Sequence, residues 1–134
     1  MKNHITRLIQ PAQKAVRLIS SFRFQDWITE MDSLFKDIPA ELPEELIEAI
    51  CSTSCVKIER IVSRGHASPE GFWYDQGRKE FILVVQGSAG LKFDGTDDIV
   101  VMKTGDYMSI GSHVKHRVEW TDTASDTIWL AVHY

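Results

Sequence analysis

The chain has 134 residues, of which 43% are hydrophobic, 10% aromatic and 25% charged, and its formal net charge is −4. This balance is typical of one globular domain and argues against intrinsic disorder, which goes with fewer aromatic residues and a larger charge imbalance. Apolar runs such as residues 81–85 are far shorter than the roughly 20 residues of a membrane-spanning helix. No dense Lys/Arg patch favours nucleic acid. We therefore expect no membrane and no nucleic-acid partner.

The first 30 residues differ in charge from the rest of the chain. Residues 1–25 contain basic residues and no acidic one, whereas acidic residues dominate from Asp26 to Glu48. Apolar residues recur near helical spacing from Ile5 to Ile19, interrupted by Pro11, which predicts a helical or flexible N-terminal extension over residues 1–30. An organelle transit peptide and a translation start at Met31 are the alternatives. Because no signal-peptide core is evident, a cytoplasmic location is the default prediction.

Residues 31–54 are predicted to be a helical lead-in that packs against the domain that follows. The helix signal is the segment L-P-E-E-L-I-E-A-I, which begins at Leu42. Pro43 suits the first helical position, and the two glutamates after it complement the positive end of the helix dipole. Leu46, Ile47 and Ile50 would form the apolar stripe of this short helix.

Two cysteines, Cys51 and Cys55, follow in the segment C-S-T-S-C. A single pair does not make a disulfide scaffold, and no second pair of Cys or His residues stands at zinc-finger spacing. We expect these two residues to be free thiols near the start of a strand.

The remaining residues, 55–134, are predicted to form an antiparallel sandwich or barrel. Short segments rich in Val, Ile, Phe, Tyr and Trp alternate with turn clusters such as S-P-E-G and D-G-T-D-D, and no helix pattern intervenes. The predicted strands are residues 56–62, 72–75, 80–86, 90–93, 99–102, 107–110, 116–120 and 127–133. The predicted fold class is therefore all-β with a short helical N-terminal region.

The ionisable residues in these strands are the candidates for chemistry. Glu80 opens the most apolar strand and shares a face with Ile82 and Val84, so its carboxylate should be partly desolvated and need a cation, a metal or a hydrogen-bond donor. Val118 follows His116 on one strand face, which favours an inward-facing His116. His133, near the end of an apolar strand, is interpreted as structural. Glu80 and His116 are thus the candidate catalytic residues, as a general acid/base pair.

The stretch from Gly71 to Trp120 resembles the two sequence motifs of the cupin family, which are small β-barrels of jelly-roll type. The first motif ends with a Glu and a Gly that have six residues between them, as Glu80 and Gly87 do. The second motif has a Gly, a turn residue six positions on and a metal-binding His five positions further. In this chain those three positions are Gly105, Gly111 and His116.

The resemblance implies a divalent metal such as Zn, Mn, Fe or Ni, but the chain departs from the metal-binding pattern. The His-x-His pair that precedes the Glu in metal-binding cupins falls on Trp73 and Asp75 or, with one residue fewer between, on Tyr74 and Gln76. The ligand set predicted from the retained and substitute residues is Asp75, Glu80 and His116, with His113 or His66 as further ligands.

Two functions follow from the resemblance. With a metal, the barrel would bind a small molecule and act as an isomerase or oxygenase. Without one, it would be a ligand-binding or sensor domain, with Trp73, Tyr74, Gln76 and Trp120 in the ligand pocket. The resemblance also implies a homodimer, for which Ile128, Leu130 and Val132 are a weak candidate edge.

Overall fold

The computed structural model of the protein describes the backbone of residues 16–18 and the whole of residues 31–134. These residues form nine strands and no helix. The strands are β1 (Val16–Leu18), β2 (Leu46–Ser52), β3 (Lys57–Ser63), β4 (Glu80–Gln86), β5 (Ser88–Phe93), β6 (Ile99–Lys103), β7 (Tyr107–Ile110), β8 (His116–Thr121) and β9 (Thr127–His133). The all-β prediction is confirmed, and the predicted strands from residue 80 onward recur with their bounds shifted by two residues at most.

The strands make two sheets that pack face to face. The large sheet has six strands in the order β1-β2-β3-β9-β4-β7, and the small sheet has three in the order β6-β5-β8. A buried cluster fills the space between them, with Ile82, Val84, Trp129 and Ala131 from the large sheet facing Leu91 and Met102 from the small sheet. The period-two pattern of β4 is the reason for this arrangement, because Glu80, Ile82 and Val84 are all buried on its inner face.

The helix predicted from Leu42 is wrong. Residues 46–52 form strand β2, which pairs antiparallel with β3 and brings Ile47 opposite Ile61. A short apolar segment of this kind fits either a helix or a strand by periodicity alone, and the neighbouring strand decides, because it supplies backbone hydrogen-bond partners on both sides of a bulge between Ala49 and Cys51. Of the predicted helical lead-in over residues 31–54, residues 46–52 are therefore a strand of the large sheet, and residues 31–45 form turns and irregular structure.

The predictions for residues 1–30 lie mostly outside the described residues. The three that are described, Val16–Leu18, form strand β1, which pairs in parallel with β2. At these residues the chain is a strand and not the predicted helix.

The segment before β2 is held on the outer face of the large sheet by two arginines. The buried Arg60 donates to Glu48 on β2 and also to the backbone carbonyl oxygens of Leu34 and Lys36, at 3.0 and 2.6 Å. Arg64 donates to the carbonyl oxygen of Ala40 at 2.7 Å. The segment thus covers charged groups that the sheet would otherwise leave exposed on this face.

Strand β9 lies between β3 and β4 and is not at an edge of the sheet. Ile128 is fully buried, and Leu130 and Val132 are half-buried. The predicted edge for a homodimer is therefore absent at this strand, and the homodimer stays a prediction. No helix in residues 31–134 has the length and apolar character needed to cross a membrane.

Candidate functional site

A cavity of about 920 Å³ opens at the end of the sandwich where β3, β4, β8 and β9 meet. Its apolar lining includes Ile61, Ile82, Leu91, Val118 and Trp129. The volume and the mixture of an apolar wall with a few polar groups are typical of a pocket for a small molecule.

Five ionisable side chains, which we call the polar row, line this cavity in one line across the strands. They are Lys57 and Glu59 on β3, His133 on β9, Glu80 on β4 and His116 on β8. The register of the large sheet places Lys57, His133 and Glu80 side by side, because Lys57 and Glu80 both pair with His133 from opposite sides. Glu59 pairs with Ala131, two residues away on β9, and its side chain reaches His133 diagonally.

The centre of the polar row is the contact between Glu80 and His116. Glu80 Oε2 lies 3.4 Å from His116 Nε2, and both side chains are at most 10% exposed. Gln76 donates from Nε2 to the same carboxylate oxygen at 3.0 Å. His116 Nδ1 lies 2.9 Å from the carbonyl oxygen of Val114. Because a carbonyl can only accept, Nδ1 carries a proton, and Nε2 is the nitrogen that faces Glu80.

This geometry raises the pKa of His116. Burial alone would lower the pKa of the imidazole, but the contact with Glu80, the hydrogen bond to the Val114 carbonyl and the negative charge of Glu80 outweigh burial. With Nδ1–H directed at Val114, a neutral ring would turn its Nε2 lone pair toward a carboxylate. A proton on Nε2 removes that repulsion, so the pair favours a protonated imidazole beside an ionised carboxylate.

His133 continues the polar row on the other side of Glu80. Its Nε2 lies 3.0 Å from Glu59 Oε2 and 4.0 Å from Glu80 Oε1. Lys57 Nζ lies 2.6 Å from the other oxygen of Glu59. Burial raises the pKa of Glu59, but the hydrogen bonds from His133 and Lys57 have the larger combined effect and lower it. Each carboxylate of the row therefore has a basic group on both sides.

Tyr74 and Gln76 form the wall of the cavity beside His116. The predicted strand over residues 72–75 is reduced to one bridge, in which Tyr74 and His116 exchange backbone hydrogen bonds of 2.8 and 3.2 Å. The Tyr74 ring stacks on the His116 imidazole with the ring centroids 5.4 Å apart. This backbone bridge fixes His116 and places Gln76 within reach of Glu80.

The other residues predicted for the site lie elsewhere. Asp75 and His113 form an exposed pair, with Oδ1 and Nδ1 at 2.9 Å, and neither lines the cavity. His66 accepts a hydrogen bond from the Arg64 backbone outside the cavity. The remaining two are also outside it: Trp73 lies under the Arg117 guanidinium, and Trp120 packs on Gly90. The structure thus brings together Glu80, His116, Tyr74 and Gln76.

Sequence reasoning missed Lys57, Glu59 and Arg78, which also line the cavity, and interpreted His133 as purely structural. A signal was available at Glu59, since it stands in the apolar strand segment V-K-I-E-R-I-V and shares a strand face with Ile61. A charged residue on an inward face needs a partner, and His133 is that partner. Predicting the pair required knowing that β3 and β9 are neighbours.

Comparison with known proteins agrees with this architecture. Residues 61–133, more than half of the chain, match the family model described as a cupin domain. The chain belongs to the cupin family. No curated protein is similar enough to this cupin to count as a match.

Several solved structures resemble that of this cupin. A protein from Ralstonia eutropha JMP134 that carries the provisional name mannose-6-phosphate isomerase is 44% identical, with a TM-score of 0.74 over 78% of this chain and 96% of that one. A cupin superfamily protein from Desulfitobacterium hafniense DCB-2 is 18% identical, with a TM-score of 0.59 over 72% and 82% of the two chains. The EutQ protein of Clostridium difficile is 14% identical, with a TM-score of 0.55 over 67% of each. The last two are evidence for the fold alone.

The donor set of this cupin does not suit a metal ion. Within residues 31–134, no three His, Cys, Asp or Glu side chains come together in a way that could hold one. Glu80 and His116 stand at the motif positions for metal ligands. Asp75, however, lies outside the cavity, and the Nε2 atom of His133 already contacts Glu59. The donors follow one another in a row and do not surround a common centre, as metal ligands must.

The glycine that closes the first cupin motif has a structural role. Gly87 has a φ of +85°, in the left-handed region, and joins β4 to β5. A Cβ there would lie 2.7 Å from the carbonyl oxygen of Asp126. The turn that sends the chain from the large sheet to the small sheet therefore requires glycine.

Proposed function

We propose that this cupin binds a small molecule in its barrel cavity and moves a proton on it, with Glu80 and His116 as the acid–base pair. The observation that carries the proposal is the buried contact between Glu80 Oε2 and His116 Nε2 at 3.4 Å, inside a cavity of about 920 Å³. Two buried ionisable groups in contact, in a pocket large enough for a metabolite, are a typical acid–base site.

The chemistry that suits this pair is isomerisation of a small carbonyl compound. A carboxylate such as Glu80 accepts the proton from a carbon next to a carbonyl group, and an imidazolium such as His116 donates a proton to the carbonyl oxygen. In a hydroxy-carbonyl compound this gives an enediol, and Glu80 then returns its proton to the neighbouring carbon while the now neutral His116 takes the proton of the other hydroxyl group, so that both residues regain their starting protonation states. The raised pKa of His116 supports the role of donor because it keeps the ring protonated at higher pH.

The name of the protein from Ralstonia eutropha supports an isomerase, since that protein is 44% identical and 96% of its chain is covered. The proposal differs from the metal-dependent activity that the family resemblance implies, because the donor groups of this cavity do not fit a metal. Glu80 and His116 would be two of the ligands if a divalent metal were bound. We propose that they act directly.

Proton exchange with the solvent tests the proposal. Sugar phosphates such as mannose 6-phosphate and a panel of small hydroxy-carbonyl compounds would be incubated with the protein in D₂O, and deuterium at the carbon next to the carbonyl would be followed by NMR. We expect enzyme-dependent incorporation with at least one compound, and a loss of about 10²-fold or more in Glu80→Gln and His116→Gln.

The Asp75–His113 pair is the matched control, because it has the same two residue types outside the cavity. Asp75→Asn should leave the exchange rate unchanged. Binding of a compound without exchange would refute the isomerase and favour a ligand-binding or sensor function. Metal analysis of protein purified without added metal should find less than about 0.2 equivalents. A stoichiometric metal that is lost in Glu80→Ala would refute the metal-free proposal.

A further inference from the structure

The mouth of the cavity carries an arginine that has no carboxylate partner among residues 31–134. Arg78 lines the cavity, and its Nη2 donates to the carbonyl oxygen of Ser54 at 2.7 Å. Among residues 31–134, every other arginine has a carboxylate partner: Arg60 pairs with Glu48, Arg64 with Asp126 and Arg117 with Glu119. Arg78 has none in this part of the chain.

The position of Arg78 is fixed by the backbone on both sides. Lys79, the next residue, exchanges backbone hydrogen bonds of 3.0 Å with Tyr134, and Ser54 belongs to the loop between β2 and β3. One hydrogen bond therefore ties the exposed guanidinium to the loop. A cation that is partly positioned in this way loses less conformational freedom on binding an anion than a free surface side chain does.

The charges deeper in the cavity decide where an anion can bind. Glu45, Glu59 and Glu80 also line the cavity, so an anionic group that entered fully would meet like charges. The other basic groups of the lining already contact carboxylates, Lys57 and His133 that of Glu59 and His116 that of Glu80. Among residues 31–134, Arg78 is the basic residue of the lining that contacts no carboxylate. An anionic ligand should therefore leave its charge at the mouth and extend its uncharged part toward Glu80 and His116.

We infer that Arg78 is the anion-recognition residue of this cavity, and that the ligand is a small molecule with a phosphate or carboxylate group at one end. The position of the ligand's reacting end rests on the proposed function. The anion site itself is argued independently, from the contacts of Arg78. Guanidinium donors form paired, charge-assisted hydrogen bonds with both kinds of oxyanion. The ligand class is thus an anionic polyol or hydroxy-carbonyl compound.

The test is a titration of the ¹⁵N-labelled protein with inorganic phosphate and, separately, with acetate, followed by NMR. We expect saturable shifts of the Arg78 Nε–Hε signal and of the neighbouring Gly77 amide with at least one anion. Tighter binding of phosphate would identify a phosphorylated ligand, and tighter binding of acetate a carboxylate. Arg78→Gln should weaken the binding by roughly tenfold or more.

Lys79→Gln is the matched control, because it removes the same charge from the next residue, which does not line the cavity. It should bind the anion as the wild type does. Absence of saturable shifts at Arg78, or equal binding by Arg78→Gln and Lys79→Gln, would overturn the inference. Glu80→Gln should retain anion binding while it loses proton exchange. Failure of the anion-site proposal can therefore be distinguished from failure of the acid–base proposal.

Discussion

Glu80 and His116 come from opposite sheets and meet in the cavity at 3.4 Å. Glu80 is the first residue of β4 in the large sheet, and His116 is the first residue of β8 in the small sheet. The pair therefore joins the two layers at the open end of the sandwich, and its geometry depends on how the sheets pack. Four predictions follow from this arrangement and from the contacts that hold the fold.

Removal of the Glu80 charge should lower the pKa of His116. In Glu80→Gln the burial of the imidazole, which lowers the pKa, is no longer outweighed by the contact and the charge of Glu80. Titration of the His116 ring signals by NMR measures the change. Asp75→Asn, in the exposed pair, should leave the His116 titration where it is. An unchanged His116 pKa in Glu80→Gln would show that the carboxylate is not the cause of the shift.

The stability of the protein should depend on pH through His116. The folded-state pKa is raised above the ordinary value of 6.5, so the folded state binds the proton more tightly than the unfolded state does. The resulting stabilisation is fully present below about pH 6.5 and is lost as the pH rises through the folded-state pKa. Urea unfolding of the wild type and His116→Gln at a series of pH values measures it.

In that series, the free energy of unfolding of the wild type should fall relative to His116→Gln as the pH is raised from mildly acidic to alkaline. A difference that is constant with pH, or that grows with pH, would contradict the assigned direction of the pKa shift.

Loss of either member of the buried Arg60–Glu48 pair should destabilise the fold strongly. Both side chains are at most 6% exposed, so Arg60→Met or Glu48→Leu alone would leave an uncompensated buried charge, at a cost of about 3–5 kcal/mol. The double variant should be more stable than at least one of the single variants, because no lone charge remains. Chemical denaturation of the three variants gives the comparison.

The Arg60 variant has a second expected effect. Because Arg60 also donates to the carbonyl oxygens of Leu34 and Lys36, its removal should increase amide hydrogen exchange and proteolysis in residues 33–38. Glu48→Leu retains these two backbone contacts and should affect this segment less. Equal protection of the segment in all variants would mean that Arg60 does not hold it.

Gly90→Ala should destabilise the small sheet. A Cβ at this position would lie 2.6 Å from Trp120 Cε2 and 2.8 Å from Ile99 Cγ2, so the Trp120 indole would have to move, at a cost of about 1–3 kcal/mol. Gly77→Ala is the control, because its nearest neighbour would be 3.9 Å away, and its effect should be within about 0.5 kcal/mol. Thermal unfolding of both variants measures the two effects, and equal stabilities would contradict close packing of Trp120 on Gly90.

Much of the barrel and half of the site could be predicted from the sequence. The strands from Glu80 onward were predictable because turn residues separate apolar segments that are too short for helices. Glu80 and His116 were predictable from motif spacing and from the apolar residues on their strand faces. The strand at residues 46–52 was not predictable, because a short apolar segment fits both the helical and the strand periodicity. Its pairing with β3 decides between the two.

The partners of Glu80 and His116 were decided by the tertiary structure alone. Asp75 is close to Glu80 in sequence but points to the exterior, where it pairs with His113. Glu59 and His133 are far apart in sequence but meet in the cavity because β3 and β9 are neighbours in the large sheet. Sequence sets which residue types stand on each strand face, since that depends on local alternation. Strand order and sheet packing set which faces meet, and hence whether a carboxylate receives a metal, an imidazole or solvent.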